Sequence, residues 1–429
     1  MATKPYMRRI CDGILDLELQ AAGAVLIEGV KWCGKSRTAE EKAKSSVKMQ
    51  DPAMAVSYLK TAQAMPSLLL EGATPHLVDE WQVAPILWDA VRSEVDHRGG
   101  MGHFILTGSA TPTDGTDDET IKRRHSGTGR IARLKMRPMT LWESGDSTGN
   151  ISLRTLFDGE TDRIAASSQA NIPDIARFVC RGGWPESVGL PDPVAIRIAS
   201  NYVKAVMEED IHRVDGIEKN PARVRMLLRS LARNISTLAT TETIAADIRA
   251  NDTSASDKTV AAYLNALRRL YLLEETPAWM PTLRSKTAIR SSPKRQFVDP
   301  SIATAAMGIA PEGLLRDFNT FGFLFESLCT RDLRVYAQAL DGTVSHYRDK
   351  NGLEADLVIS LPDGRWAPVE VKLGEGQVDE AAANLLKLQS LVDPVRTGPP
   401  AFAMVLTGTP FAYRRDDGVI VCPLPCLGP

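Results

Sequence analysis

The chain has few of the features that mark export, membrane residence or thiolate–metal chemistry. Its six cysteines, Cys11, Cys33, Cys180, Cys329, Cys422 and Cys426, never fall into C-x-x-C spacing. That argues against a zinc–thiolate site and a disulfide framework and fits reduced thiols. Cys422 and Cys426 lie in a proline-containing tail and are expected to be inert there. No stretch approaches the roughly 18 apolar residues of a membrane span. The amino-terminal segment also lacks the long apolar core of a signal peptide, so a cytoplasmic protein is expected. Aromatic residues make up only 6% of the chain, and the net charge of −2 gives no overall attraction to nucleic acid. Any such contact would need a local basic patch.

What is present is an ordinary globular composition, 43% hydrophobic and 24% charged, over 429 residues. That length exceeds one typical core, so two or three domains are expected. The sequence reads as α/β with boundaries at 1–150, 151–310 and 311–429.

The most specific stretch is Ala24 to Ser36. Ala24–Ile27 reads as a buried strand, and a helix-prone run extends to Lys44. Between them Gly29, Val30, Lys31, Trp32, Cys33, Gly34, Lys35 and Ser36 spell G-x-x-x-x-G-K-S, the phosphate-binding loop in its strand–loop–helix setting. Glycines let backbone N–H groups converge on an anion. Lys35 would reach the β- and γ-phosphates of a nucleoside triphosphate, and the Ser36 hydroxyl would ligate Mg²⁺.

Further along, His76–Glu80 is a short apolar strand ending in two acids. At the carboxyl end of a parallel strand, Asp79 is placed to hold the Mg²⁺ water shell and Glu80 to polarise an attacking water. His103–Ser109 is the next strand, and Ser109 could touch the γ-phosphate or that water. The polar loop 111–129 leads to the strand Ile131–Met136. Arg130, at its border, is the candidate to neutralise transition-state charge, in cis or from a neighbouring subunit.

The stretches Gly29–Ser36, Leu77–Gln82, Phe104–Ser109 and Gly127–Met139 resemble those of AAA-type ATPases of bacteria and archaea. In that group a second domain of unknown function follows the ATPase domain. Gly182-Gly183-Trp184-Pro185-Glu186 and Arg295-Gln296-Phe297-Val298-Asp299 resemble its linker and middle segments. The resemblance implies ATP binding by Gly29, Gly34, Lys35 and Ser36, and Mg²⁺ and water chemistry at Asp79 and Glu80.

Residues 150–174 are polar and read as a boundary. Helices are expected over Val194–Asp210, Pro221–Ile235 and two segments of Thr240–Tyr271, the second being Lys258–Leu270 with one apolar face. With a β-wing from Tyr271 toward Asp299, this reads as a winged helix. Ser256, Lys258 and Thr259 would then approach base edges, and Arg284, Lys286, Arg290, Lys294 and Arg295 would meet phosphates. A packing module is the alternative.

The last third carries a second candidate centre. Phe318–Leu333 reads as a helix bearing Glu326, followed by strands Thr343–Arg348 and Leu353–Ile359. A Pro362-Asp363-Gly364 turn precedes a third strand with Glu370 and Lys372 on one face. Asp356 and Glu370 could share a divalent cation while Lys372 orients a water for phosphodiester attack. This resembles the PD-(D/E)xK, restriction-endonuclease-like superfamily. Three activities therefore stay open: an Mg²⁺-dependent ATPase, a nucleotide-gated switch with negligible turnover, and an ATP-dependent nuclease acting on DNA or RNA. A protein partner and a homo-oligomer are open as well.

Overall fold

A computed structural model describes residues 5–111, 127–214, 218–281 and 292–429. It contains two compact units. One comprises Met1–Pro138, Glu208–Lys219 and Asn265–Leu272, and the other comprises Met139–Met207, Asn220–Leu264 and Leu273–Pro429.

The first unit is built on five strands, β1 (Ala24–Glu28), β2 (Ser45–Lys48), β3 (His76–Asp79), β4 (Phe104–Gly108) and β5 (Ile131–Lys135). They lie in the order β2-β3-β4-β1-β5, and every pairing is parallel. A central parallel strand is covered on both faces, which is why Ala24, Val25, Leu26 and Ile27 are apolar without alternation and all buried. Helices α1 (Cys11–Ala21), α2 (Lys35–Glu40), α3 (Ala55–Ala64) and α4 (Ile86–Arg98) accompany the sheet. One core gathers Ala24, Leu26, Val78, Phe104 and Leu106 with Trp81, Leu87, Trp88 and Val91. The Trp81 and Trp88 rings sit 5.0 Å apart. Helix α2 is shorter than the expected run to Lys44. The Ala39 carbonyl accepts both the Lys42 and Ala43 amides, and that turn ends the helix at Glu40.

The second unit holds a mixed seven-stranded sheet. Its strands include β7 (Ala165–Ser167), β10 (Thr343–Arg348), β11 (Glu354–Ser360), β12 (Trp366–Lys372), β13 (Met404–Thr407), β14 (Phe411–Arg414) and β15 (Ile420–Pro423). Their order is β10-β11-β12-β13-β15-β14-β7. Residues 150–174, expected as a boundary, therefore supply an edge strand: β7 pairs antiparallel with β14. They also supply β6 (Ile151–Ser152), which pairs with β16 (Leu427–Gly428). The helix Val378–Leu391 packs Val378, Ala381, Ala382, Leu385 and Leu388 against Val358, Trp366, Val405 and Val421. The proline-containing tail with Cys422 and Cys426 is part of the fold. Cys422 lies in β15, Cys426 follows it, and all six cysteines are free and buried.

The chain also forms helices Pro221–Arg233, Thr241–Arg249 and Asp257–Arg269. A two-stranded antiparallel hairpin follows, β8 (Leu273–Thr276) with β9 (Lys294–Phe297). The Gly182–Trp184 and Asp299 segments meet in a buried polar knot. Asp299 accepts from the Gly183 amide and from Arg331, both at 2.9 Å. An added Cβ at Gly183 would lie 2.0 Å from the Met139 carbonyl oxygen, so that close approach requires glycine.

Candidate functional site

The phosphate loop leaves the carboxyl end of β1, and its backbone is held in the shape the motif requires. A Cβ on Gly29 would come within 2.1 Å of the Met136 carbonyl oxygen. Gly34 has φ 107°, a left-handed conformation that a side chain would strain. The Lys35 ammonium curls back over its own loop and donates to the Val30 carbonyl at 2.9 Å. It therefore belongs to the loop and not to the apolar core. Lys31, also in the loop, donates to Asp210 at 2.5 Å.

A brace that the sequence did not announce comes from the amino-terminal segment. The buried Arg9 guanidinium donates to the Cys33 carbonyl at 2.7 Å and to the Arg137 carbonyl at 2.8 Å. Tyr6 donates to Asp12 at 2.6 Å and contacts the Thr38 hydroxyl of α2 at 2.9 Å. Asp12 in turn accepts the Arg9 amide. These residues carry no local motif, and only the fold brings them together.

The acid pair sits at the carboxyl end of β3, two strands from β1 on the same edge of the sheet. Thr107 on β4 organises it. Its hydroxyl donates to Asp79 at 2.6 Å and accepts the Glu80 amide at 3.0 Å. Glu80 has φ 58°, uncommon for a residue with a side chain. Its carboxylate accepts from Ser109 at 2.8 Å and from the Gln82 amide, which also donates to Ser109. The other amide atom, Gln82 Oε1, is buried without a hydrogen-bond partner among the described residues. Ser36 and Asp79 offer hydroxyl and carboxylate oxygens, a donor set suited to Mg²⁺.

Arg130 is corrected as a residue acting in cis. The Ala24 amide bonds its carbonyl, and Ile131, the first residue of β5, pairs with Ala24, the first of β1. Arg130 therefore lies at the amino edge of a parallel sheet whose phosphate loop is at the carboxyl edge. Its guanidinium is paired with Asp96 at 2.8 Å.

In the second unit, Asp356, Glu370 and Lys372 do come together. Ala355 joins the core under Val378–Leu391 while Asp356, its neighbour on the strand, turns to the other face. Lys372 donates to Glu370 at 2.7 Å and lies 3.7 Å from Asp356, and Asp356 also accepts the Val371 amide at 2.9 Å. Glu326 completes the group from the helix Phe318–Gln338. A fifth side chain was not foreseen here. Lys294, on β9, donates to Glu326 at 2.8 Å and reaches Asp356 at 3.5 Å. Burial pushes the Glu326 carboxyl up to about 7 although Lys294 opposes it. Burial and Asp356 likewise raise Glu370. Burial also works against the charge on Asp356, yet Lys294 and Lys372 hold its carboxyl below the usual range.

The expected shared metal at Asp356 and Glu370 does not fit the side chains as they stand, because Lys372 is paired with Glu370 at 2.7 Å and Asp356 has Lys294 at 3.5 Å and Lys372 at 3.7 Å. Among the described residues, no group of three or more His, Cys, Asp or Glu side chains could hold a metal ion.

The expected phosphate contacts of Lys294 and Arg295 are also corrected. Lys294 is buried and Arg295 donates to the Ala239 carbonyl and the Thr241 hydroxyl. Arg284, Lys286 and Arg290 lie outside the described residues. Ser256 bonds the Thr259 amide and hydroxyl at the start of its helix, the role of a cap, and Lys258 is exposed.

Comparison with known proteins agrees with the amino-terminal geometry. Residues 21–144 match the family model described as an AAA domain. Residues 172–313 and 321–427 match two domains of unknown function, DUF8612 and DUF4143. An uncharacterized protein of Mycobacterium tuberculosis and another of Mycobacterium bovis are each 23% identical over 373 residues, 85% of this chain and 74% of theirs. Among solved structures, a Walker-type ATPase of Pyrococcus abyssi aligns with TM-score 0.42 and 14% identity, over 71% of this chain and 99% of that one. No helix among the described residues is long and apolar enough to cross a membrane.

Proposed function

We propose that this protein binds ATP with Mg²⁺ at the loop Gly29–Ser36 and hydrolyses it with Glu80 as the water-polarising base. The observation that carries the reading is the bonded set of Thr107, Asp79, Glu80 and Ser109 on the same sheet edge as the phosphate loop. Backbone amides and Lys35 would neutralise the phosphates, and Ser36 and Asp79 would hold Mg²⁺ and its waters. Bound Mg²⁺ would supply charge neutralisation at the β- and γ-phosphates. Ser109 would hold the Glu80 carboxylate in register. Arg130 remains a candidate only if a second copy presents it.

Lys35→Ala should abolish ATP binding, whereas Glu80→Gln should keep binding and lose turnover. Equal ATPase rates for wild type and Lys35→Ala would reject the reading. One observation favours the switch alternative: Glu80 is engaged by both Ser109 and Gln82. A single-turnover measurement with ATP and Mg²⁺ separates the two, since a switch releases nucleotide before hydrolysing it.

A further inference from the structure

The polar face of the β8–β9 hairpin is buried against one face of the helix Phe318–Gln338. Glu274 and Thr276 on β8 and Lys294 and Gln296 on β9 alternate to the same side, with Glu274 paired to Gln296 and Thr276 to Lys294. All four are buried. On the helix, Glu326, Thr330 and Arg334 recur every four residues, so they form one stripe. The two sets match partner for partner. Lys294 donates to Glu326 at 2.8 Å and Gln296 to Thr330 at 3.0 Å. Arg334 donates to Glu274 at 2.7 Å and to Thr276 at 2.6 Å.

We infer that Lys294 is the resident cation of the Glu326–Asp356–Glu370 cluster, taking the seat a divalent ion would otherwise fill and making this centre metal-silent. Three carboxyl groups face two ammonium groups, Lys294 and Lys372, and Lys294 lies between Glu326 and Asp356. An ammonium offers the acids charge and hydrogen-bond donors, but it cannot activate a water as a bound metal does. Next to that contact the hairpin is fixed by Gln296–Thr330 and Arg334–Glu274, and Arg334 also bonds Thr276 directly opposite Lys294, so the ammonium is held in place as a structural part of the cluster. Such a replacement is costly to undo halfway: removing Lys294 leaves buried carboxylates without their partner. Freed of that ammonium, the Glu326 and Asp356 carboxylates could close around a cation added from solution. This inference is independent of the ATPase reading, since it concerns only residues of the second unit.

The test is Mn²⁺ titration of the nucleotide-free full chain, read by the loss of free-Mn²⁺ paramagnetic resonance. Asp356→Asn assigns any binding to this cluster. Wild type and Asp356→Asn are expected to bind Mn²⁺ identically, and wild type to show no Mn²⁺-dependent cleavage of DNA or RNA. Lys294→Ala should gain one Mn²⁺ site that Lys294→Ala/Asp356→Asn loses. Its melting temperature should rise by roughly 5 °C when Mn²⁺ is about a hundredfold above its Kd. If Lys294→Ala does not fold, Lys294→Gln keeps a donor to Glu326 and takes its place. Mn²⁺ binding or cleavage by wild type that disappears in Asp356→Asn would overturn the inference. So would a folded Lys294 variant that gains no site.

Discussion

The Arg9 guanidinium donates to the Cys33 carbonyl at 2.7 Å, and this bond orients the peptide that leads into Gly34. In a planar trans peptide the C=O and the following N–H point opposite ways. Holding the Cys33 oxygen toward Arg9 therefore turns the Gly34 N–H to the other side of the loop, where it can meet a phosphate. Charge-assisted bonds of this kind contribute roughly 1.5–3 kcal/mol. Arg9→Ala should weaken ATP binding about tenfold to a hundredfold. Arg9→Lys should not restore it, because one ammonium cannot reproduce the forked bonds to Cys33 and Arg137. Titration with a fluorescent nucleotide checks both variants; affinities equal to wild type would refute the brace.

Thr107 carries a different consequence. Its hydroxyl serves Asp79 and the Glu80 backbone together, so Thr107→Val keeps the shape and removes both bonds. The phosphate loop is untouched. Turnover should fall by about one to two orders of magnitude, equivalent to roughly 1.4–2.7 kcal/mol of barrier, while ATP affinity changes by less than about threefold. A fall in affinity as large as the fall in rate would assign Thr107 to loop structure instead.

The knot at Asp299 predicts a purely structural effect. Arg331 donates to Asp299 at 2.9 Å and to Asp332 at 2.8 Å, and all three are buried. Asp332 also accepts the Leu141 amide at 2.9 Å. Arg331→Met leaves two buried carboxyl groups without their cation and should cost about 3–5 kcal/mol. Urea unfolding measures this directly, and a loss below about 1 kcal/mol would mean that the carboxyl groups find other partners.

Much of the amino-terminal half was legible because its signals are local. Gly29–Ser36 specifies a loop by spacing alone, and Leu77–Glu80 and Phe104–Ser109 end in polar residues where a parallel sheet exposes them. The carboxyl-terminal hairpin was legible for the same reason, since the Pro362-Asp363-Gly364 turn fixes which strands meet. The cis role of Arg130 was excluded by a signal already in the sequence: a residue that precedes a parallel strand lies at the edge away from the phosphate loop. Lys294 stands in a basic run and reads as a surface cation. Only its pairing opposite Thr276 and the four-residue stripe of Glu326, Thr330 and Arg334 reveal it as internal. The edge strand Ala165–Ser167 depends on Phe411–Tyr413, far away in sequence, and no local pattern encodes such a pairing.

His346 on β10 links this interior to pH. Its Nε2 bonds the Ser292 carbonyl at 3.2 Å while Nδ1 is buried without a hydrogen-bond partner among the described residues, which favours the neutral ring. Burial, with Lys294 and then Arg348 adding repulsion, lowers its pKa to about 4. The unfolded chain, with an ordinary value near 6.5, therefore binds the proton more readily. Stability from this group is present above about pH 6.5 and is lost as pH falls through about 4, a change on the order of 3 kcal/mol. His346→Gln keeps a donor toward Ser292 and cannot titrate. Its stability should decline less than that of wild type between pH 6.5 and 4, as measured by urea unfolding at successive pH values. Parallel declines for the two proteins would show that His346 takes no part in acid unfolding.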